Sequence, residues 1–550
     1  MFIAALLAGV LAQAAVSYTA VTDRGPRQKP PALKLGAAGF SFNDPVFGSR
    51  IWRVTDRLTR PEAVDRSFRT PSATHQNAWS ADSSYFYVSS TDGTIIPFAF
   101  DKGTGRFGRL DALRFYMEPQ FSYLNDSVIY GGVTGAGASL RTVDRYDFGS
   151  GEYTRLLDLE SLAPGLSGTY IGGISSSAGS VERILAFFGG SAQDRHRFVV
   201  VFDAANPQRR VVLDTVASTI DGRAAPTTLN FNLHYATIDR SGRFVMLYPT
   251  AGDVAGPRKA SQVYAWDTLT SAITPMPILV ALSGGHDAFG YGMGVNQDCC
   301  TASTWDAAQW QIRALASPLI SRDLITPVVT PKEVYLADHP SWNNARPDRL
   351  VPFITATYRY GDNTTAWRAW DDEILAIQTD IGDGGAEVAR LAHHRSDVRN
   401  DNSPGSVSFW YLPRAIVSRD GRWVLFTSNW EKSLGTDPKA AAGERARQDV
   451  FLLQLKPAAV EEEPAPEPAL EIATAALPDA KLKAAYSVTL QSSRPATWTL
   501  SAGALPPGLV LTPAGQITGT PRSAGAWSSE LTASDPASSA SRVFLLTVRR

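Results

Sequence analysis

A ten-residue phrase recurs in register along this chain, and it constrains the fold more than any other feature. His75-Gln76-Asn77-Ala78-Trp79-Ser80-Ala81-Asp82-Ser83-Ser84 leads into the apolar run Tyr85 to Val88, and His234-Tyr235-Ala236-Thr237-Ile238-Asp239-Arg240-Ser241-Gly242-Arg243 leads into Phe244 to Leu247. A third copy runs from Pro413 through Ser418-Arg419-Asp420-Gly421-Arg422 into Trp423 to Phe426, with proline where the others have histidine. His339 precedes Leu350-Val351-Pro352-Phe353 with one extra residue. A strand, a polar turn and a second strand repeated along a chain predict a β-propeller.

From residue 50 to 455 strand-like runs alternate with turns, and no long stripe of 3.6-residue period competes with them. Blades are expected to open near residues 75, 115, 169, 232, 286, 339 and 411, which makes a seven-bladed ring. Ile51 to Thr55 is an orphan strand ahead of the first blade, and Val450 to Leu453 is the last strand. Pairing one with the other closes the ring inside a single blade and removes the free edge of a linear array.

Composition agrees with an all-β protein. Charged residues are only 19%, and glycine (44) and proline (35) are plentiful enough to supply many turns. With 52 Lys+Arg against 53 Asp+Glu there is no global field to attract nucleic acid or an anionic membrane. Residues 1–20 hold a short apolar stretch followed by Ala12-Gln13-Ala14, without a basic start; they predict a signal peptide and hence a secreted, periplasmic or cell-surface location. No other segment is apolar for long enough to span a membrane. The two cysteines are neighbours, Cys299-Cys300, so no disulfide framework joins distant elements. They either close a strained vicinal ring or stay reduced.

Residues 456–469 form a proline- and glutamate-rich linker that cannot bury a core. Beyond it, Leu505-Pro506-Pro507-Gly508-Leu509 and Gly515-Gln516-Ile517-Thr518-Gly519-Thr520-Pro521 resemble the Ig-like module known as Putative Ig, which implies a cadherin-like β-sandwich over residues 470–550. Gly508, Gly515 and Gly519 suit turns between short strands there, and Trp498 and Trp527 suit the space between sheets. Related modules hold Ca²⁺. Asp535 and Glu530 are the only carboxylates in the later half of this one, which argues against a calcium cage of six to eight oxygens.

Six of the seven histidines, His75, His234, His286, His339, His393 and His394, fall at or just before expected blade openings, whereas His196 falls in a charged outer loop. Residues at blade starts converge on one end of the central channel. His75, His339, His393 and His394 are therefore candidate ligands of a divalent transition metal, and His234 and His286 are candidate bases. A single imidazole at such a position can equally bridge two blades structurally. Trp342, Asn343 and Asn344 suit a sugar ring by stacking and amide hydrogen bonds, and Arg390 and Arg395 suit a carboxylate.

The phrase Val417 to Ser428 resembles propellers of the TolB-like and oligogalacturonate-lyase-like kind, over roughly residues 50 to 455. In the lyases, channel histidines and a glutamine hold a divalent metal, with a further histidine and an arginine implicated in proton abstraction. This chain departs from that pattern at Pro413, so the resemblance implies a histidine-bound metal but transfers no catalytic assignment. The expected function is an exported propeller that binds an extracellular, uronate-containing polysaccharide and cleaves it by metal-assisted β-elimination. The alternative is a non-catalytic surface or secreted scaffold. Neither an α/β-hydrolase elbow nor a P-loop is present, and no spacing selects a glycosidase carboxylate pair. The oligomeric state is not legible.

Overall fold

The computed structural model describes residues 18–550 except residue 75 and the segments 134–140, 164–169, 191–194, 251–262, 277–286, 299–308, 326–338, 360–366, 382–384, 404, 457–469 and 536–538. The chain divides into two compact units, residues 1–459 and 460–550. Most of the predicted signal peptide, nearly all of the linker, His75, His286 and Cys299-Cys300 lie outside the described residues.

The first unit is a seven-bladed β-propeller of antiparallel sheets. The innermost strands of blades 1 to 7 are Phe68–Arg69, Gln120–Phe121, Tyr170–Ser176, Leu233–Ile238, Asp287–Phe289, Pro340–Ser341 and Ile416–Val417. Blades 3 to 6 open within a residue or so of the expected positions. Blade 1 begins earlier, at Phe68, and blades 2 and 7 begin five residues later than expected, at Gln120 and Ile416. The orphan strand Arg50–Arg53 pairs with Asp449–Gln454 in the register Ile51 to Leu453 and Arg53 to Phe451, so blade 7 is built from both ends of the propeller sequence. Arg53 also donates to Asp449 at 2.5 Å.

The repeated phrase owes its regularity to one turn. Its first polar residue accepts the backbone N–H of the residue five later: Ser80 from Tyr85 at 2.9 Å, Asp239 from Phe244 at 2.9 Å, Ser418 from Trp423 at 3.0 Å. The fourth residue of each turn takes a left-handed backbone, at φ 64° for Ser83, 77° for Gly242 and 71° for Gly421, and glycine does so without a Cβ clash. The apolar runs that follow then pack between blades, as Phe100 does on Trp423 with ring centroids 4.9 Å apart. Such edge-to-face pairs add roughly 0.5–1.5 kcal/mol to area burial.

Residues 18–47 run over blades 6 and 7, and Ser41–Asn43 pairs with Arg50–Arg53 as the outermost strand of blade 7. Val21 bridges Arg390 on the outermost strand Val388–His393, Trp430 Nε1 donates to the Leu33 carbonyl at 2.8 Å, and Tyr18 donates to the Gly421 carbonyl at 2.9 Å. An edge that would otherwise expose its ladder is covered.

The second unit is a sandwich. Ala480–Lys481, Ser539–Arg549, Gly525–Ser534 and Thr497–Gly503 form one sheet, and Tyr486–Thr489, Gln516–Gly519 and Leu509–Leu511 the other. Ile517, Leu531, Leu546 and Trp498 fill the space between them. A Cβ at Gly515, whose φ is 80°, would meet the Trp498 indole at 2.7 Å, so the turn residue also makes room for the core tryptophan. Trp527 is only partly buried. Asp535, one of the two carboxylates weighed for calcium, is ion-paired to Arg494 at 2.5 Å. No helix among the described residues is long and apolar enough to cross a membrane.

Candidate functional site

Several of the innermost strands break part-way along. In blade 3 the register shifts between Ile171 and Gly173, and in blade 4 between Leu233 and Tyr235, which leaves Gly172 and His234 as the bulged residues. In blade 2 the ladder passes from Tyr116, bonded to the Gly132 carbonyl, to Gln120 opposite Tyr130, and Met117-Glu118-Pro119 loop out between. In blade 1 the ladder likewise breaks between Arg69, opposite Ser89, and Ala78, which accepts from Tyr87. A bulge re-aims a side chain away from the ladder. Here each break delivers residues to one cavity of about 290 Å³ at the first mouth of the channel, lined among others by Ser72, Gln76, Glu118, His234, Tyr235 and His339. Gly172 and Gly173 line it too, and a Cβ on either would collide with the Phe187 ring.

Glu118 is the central acid of this cavity. It accepts from the Ser72 backbone N–H at 2.8 Å and from the Ser72 hydroxyl at 2.6 Å, which ties blade 2 to blade 1. Burial pushes its carboxyl up, against the lowering effects of those hydrogen bonds and of Arg414 and Arg69. Arg414 is fully buried. Its Nη1 donates to the Phe409 carbonyl at 2.8 Å, and its guanidinium lies 5.2 Å over the Phe409 ring, itself part of the cavity wall. Its Nε and Nη2 have no hydrogen-bond partner among the described residues. Burial and the like charge of Arg69 lower its pKa to about 9.

Behind Tyr235 stands a second buried acid. Asp287, the first residue of blade 5, accepts from the Tyr248 hydroxyl, and its other oxygen has no partner among the described residues. Burial raises it to about 7. Tyr235 feels the charge of both Glu118 and Asp287, though burial is what chiefly raises its own pKa.

Of the residues singled out from sequence, His234 and His339 meet in this cavity, His234 exposed and His339 buried with its ring stacked 6.1 Å from Tyr358. His75 and His286 adjoin Gln76 and Asp287 in sequence but lie outside the described residues. His393 and His394 are not brought to the channel. Val388–His393 is the outermost strand of blade 6, not a blade opening, because a long segment intervenes before blade 7 starts at Ile416. Their rings are engaged there: His393 Nε2 with the Arg27 carbonyl at 2.9 Å, and His394 Nε2 with the Thr357 carbonyl at 2.6 Å. Burial lowers both to about 4.

Arg390 and Arg395 share that edge and are spent on structure, Arg390 on Glu373 at 2.6 Å and Arg395 on Glu431 at 2.9 Å. Trp342 is buried with its indole N–H on the Val351 carbonyl at 2.9 Å, so no face is left for a sugar. Asn344 is likewise buried, its amide on the Pro352 carbonyl at 3.0 Å. Asn343 sits inside the channel, donating to the Gln76 carbonyl at 3.0 Å. His196 lies on the strand Arg195–Asp203 rather than in a loop, packed on Tyr170 and Phe187.

Among the described residues no three of His, Cys, Asp and Glu converge as metal ligands. Glu118, His234 and His339 thus line the cavity without being arranged as the three protein ligands that a catalytic metal site commonly takes.

Residues 468–549 match the family described as Putative Ig domain. No curated protein matches the chain. Among solved structures it is similar to an oligogalacturonate lyase in complex with manganese, at 12% identity and a TM-score of 0.47, over 79% of this chain and 98% of that one. The oligogalacturonate lyase of Vibrio parahaemolyticus is similar at 10% identity and a TM-score of 0.42, over 78% and 98%. The RRP9 WD40 repeats are similar at 10% identity and a TM-score of 0.36, over 72% and 96%. The likeness is one of propeller architecture.

Proposed function

We propose that the propeller binds a uronate-containing polysaccharide at the first mouth of its channel and cleaves it by β-elimination, and that the protein works outside the cytoplasm, as its N-terminal stretch suggests. The observation that supports this reading is one cavity that gathers a carboxyl pushed towards its protonated form, two imidazoles and, behind its wall, a buried arginine with unpartnered N–H groups. In this reading the positive charge of Arg414, acting from behind the cavity wall, favours the uronate carboxylate and makes the α C–H more acidic by stabilising the charge that develops when it ionises. His234, the exposed imidazole, takes that proton. Glu118 gives its proton to the glycosidic oxygen as the C–O bond at the β carbon breaks and the carbon–carbon double bond forms. One proton leaves the sugar and one reaches the departing alcohol, so the step balances.

Incubation of the purified protein with polygalacturonate and related uronans tests the reading through the ultraviolet absorbance of newly unsaturated ends. Glu118→Gln and His234→Ala should each remove that signal while leaving the thermal melt near the parent's. Saturable binding of uronans without new unsaturated ends would replace the lyase reading with the scaffold reading; neither binding nor cleavage across the panel would sink both.

A further inference from the structure

The opposite mouth of the channel carries a group of arginines that the first mouth does not use. There the innermost strands end and turn outward, which places Tyr123 of blade 2, Arg240 of blade 4, Tyr291 of blade 5, Asn343 of blade 6 and Arg419 of blade 7 around one point. Asn343 Oδ1 accepts from the Tyr123 hydroxyl at 2.8 Å and from Arg240 Nη2 at 2.6 Å. The Arg240 guanidinium lies 4.2 Å over the Tyr123 ring and that of Arg419 lies 5.7 Å over it. Arg419 Nη2 donates to the Tyr291 hydroxyl at 3.0 Å, and Nη1 donates to the Asn343 and Ala345 carbonyls. The loop that follows Asn343 adds Arg346, half-buried, and Arg349, exposed.

Three of these cations stand without a matching anion. Arg346, Arg349 and Arg419 form no ion pair among the described residues. Like charges act on one another here: Arg419 and Arg349 both lower Arg346, after burial, and Arg419 lowers Arg240, where burial is again the main cause. Asp348 offers Arg346 partial compensation. The neighbouring carboxylates are committed elsewhere. Glu182 accepts from the Ser122 hydroxyl, the Tyr123 N–H and the Tyr130 hydroxyl, and Asp239 accepts from the N–H groups of Arg243, Phe244 and Gly292. Both are also pushed up by burial, which weakens them further as counter-charges. Gathering arginines this close is costly unless an anion completes the set.

We propose that Arg346, Arg349 and Arg419 form an anion-binding site at the second mouth of the channel, one that takes a carboxylate or phosphoryl group. Tyr123 and Asn343 hold the buried Arg240 and the half-buried Arg419 in position, and Arg346 and Arg349 face the ligand from the loop.

Calorimetric titration of inorganic phosphate, and separately of galacturonate at matched ionic strength, into the full chain tests this. Wild type should bind at least one of them saturably and more weakly as salt rises, and the tighter of the two identifies the group recognised. The double variant Arg346→Gln/Arg349→Gln should weaken that binding by about tenfold or more with an unchanged melt, as expected for two lost charge-assisted contacts. Arg419→Gln supplies an independent loss from the blade side. The Glu118→Gln variant should bind phosphate like wild type, because Glu118 belongs to the other mouth. No saturable binding of either ion, equal binding by the double variant, or loss of phosphate binding on Glu118→Gln would overturn the proposal.

Discussion

Asp287 is a carboxyl with nowhere to put a charge. Folded, it titrates near 7; unfolded, near 3.9. Below the unfolded value both states are protonated and nothing is lost. As pH rises from about 4 to about 7 the unfolded chain sheds the proton first, so stability falls through that window and levels off above it, by a few kcal/mol at most. Denaturant melts between pH 4.5 and 7.5 should show that slope in wild type and a flatter profile in Asp287→Asn; parallel profiles would contradict the assignment. Glu118 carries the other residue-scale expectation: if it is the proton donor, Glu118→Gln should lower the rate of uronan cleavage by roughly 10²–10⁴, and a rate within twofold of wild type would remove it from the chemistry. Neither acid stood out in the sequence. Glu118 lies in Phe115-Tyr116-Met117-Glu118-Pro119-Gln120-Phe121, and the usable signal was the proline, which cannot continue an inner ladder and so marks a bulge. The histidines were conspicuous by chemistry, yet position decided them: His234 and His339 precede or interrupt inner strands, whereas His393 ends an outer one.

At the scale of elements, the repeated turn was legible because a hydrogen-bonding side chain must occupy its first position and a left-handed residue its fourth. Asp239 makes the most of the position, satisfying four backbone N–H groups from its own turn and the next blade. Asp239→Ala should cost about 1–3 kcal/mol by leaving those donors without a partner. Asp239→Ser should recover part of it, since Ser80 and Ser418 do the same work in blades 1 and 7; equal losses for Ala and Ser would refute this account of the turn. The segment over blades 6 and 7 was not legible, because residues 18–47 contain only the three-residue strand Ser41–Asn43 and dock mostly through single carbonyls on buried side chains. Its attachment should be acid-sensitive. His393 and His394 are held near 4 in the fold against about 6.5 when unfolded, so they favour the folded form fully above pH 6.5 and cost stability as pH falls towards 4. Hydrogen exchange at Val21 and Arg390, whose backbones bridge, should quicken over that interval. Protection that stays constant down to pH 4.5 would show that these imidazoles do not govern the segment.

The whole propeller depends on a strand that is far from its partner in sequence. The pairing of Ile51 with Leu453 was foreseeable because both flanking strands were orphans and a ring has no use for a free edge. The cavity was not, since the bulges that build it depend on register between strands rather than on the pattern of any one strand. Deleting residues 50 to 56 should destabilise the propeller and broaden its thermal transition, whereas a chain ending at Leu455 should melt as a cooperative unit and retain uronan binding. Failure of that shorter chain to fold would mean that residues beyond Leu455 contribute to the propeller. Closure also has a consequence for how the protein is made. Arg53 waits for Asp449 across 396 residues, and at about 5–20 residues per second the ribosome needs roughly 20–80 s to supply it. Through that interval the nascent chain holds an unsatisfied β-strand at one end and a growing stack of blades at the other, so escorting the emerging amino terminus past other sticky edges becomes a demand of biosynthesis that the finished ring no longer reveals.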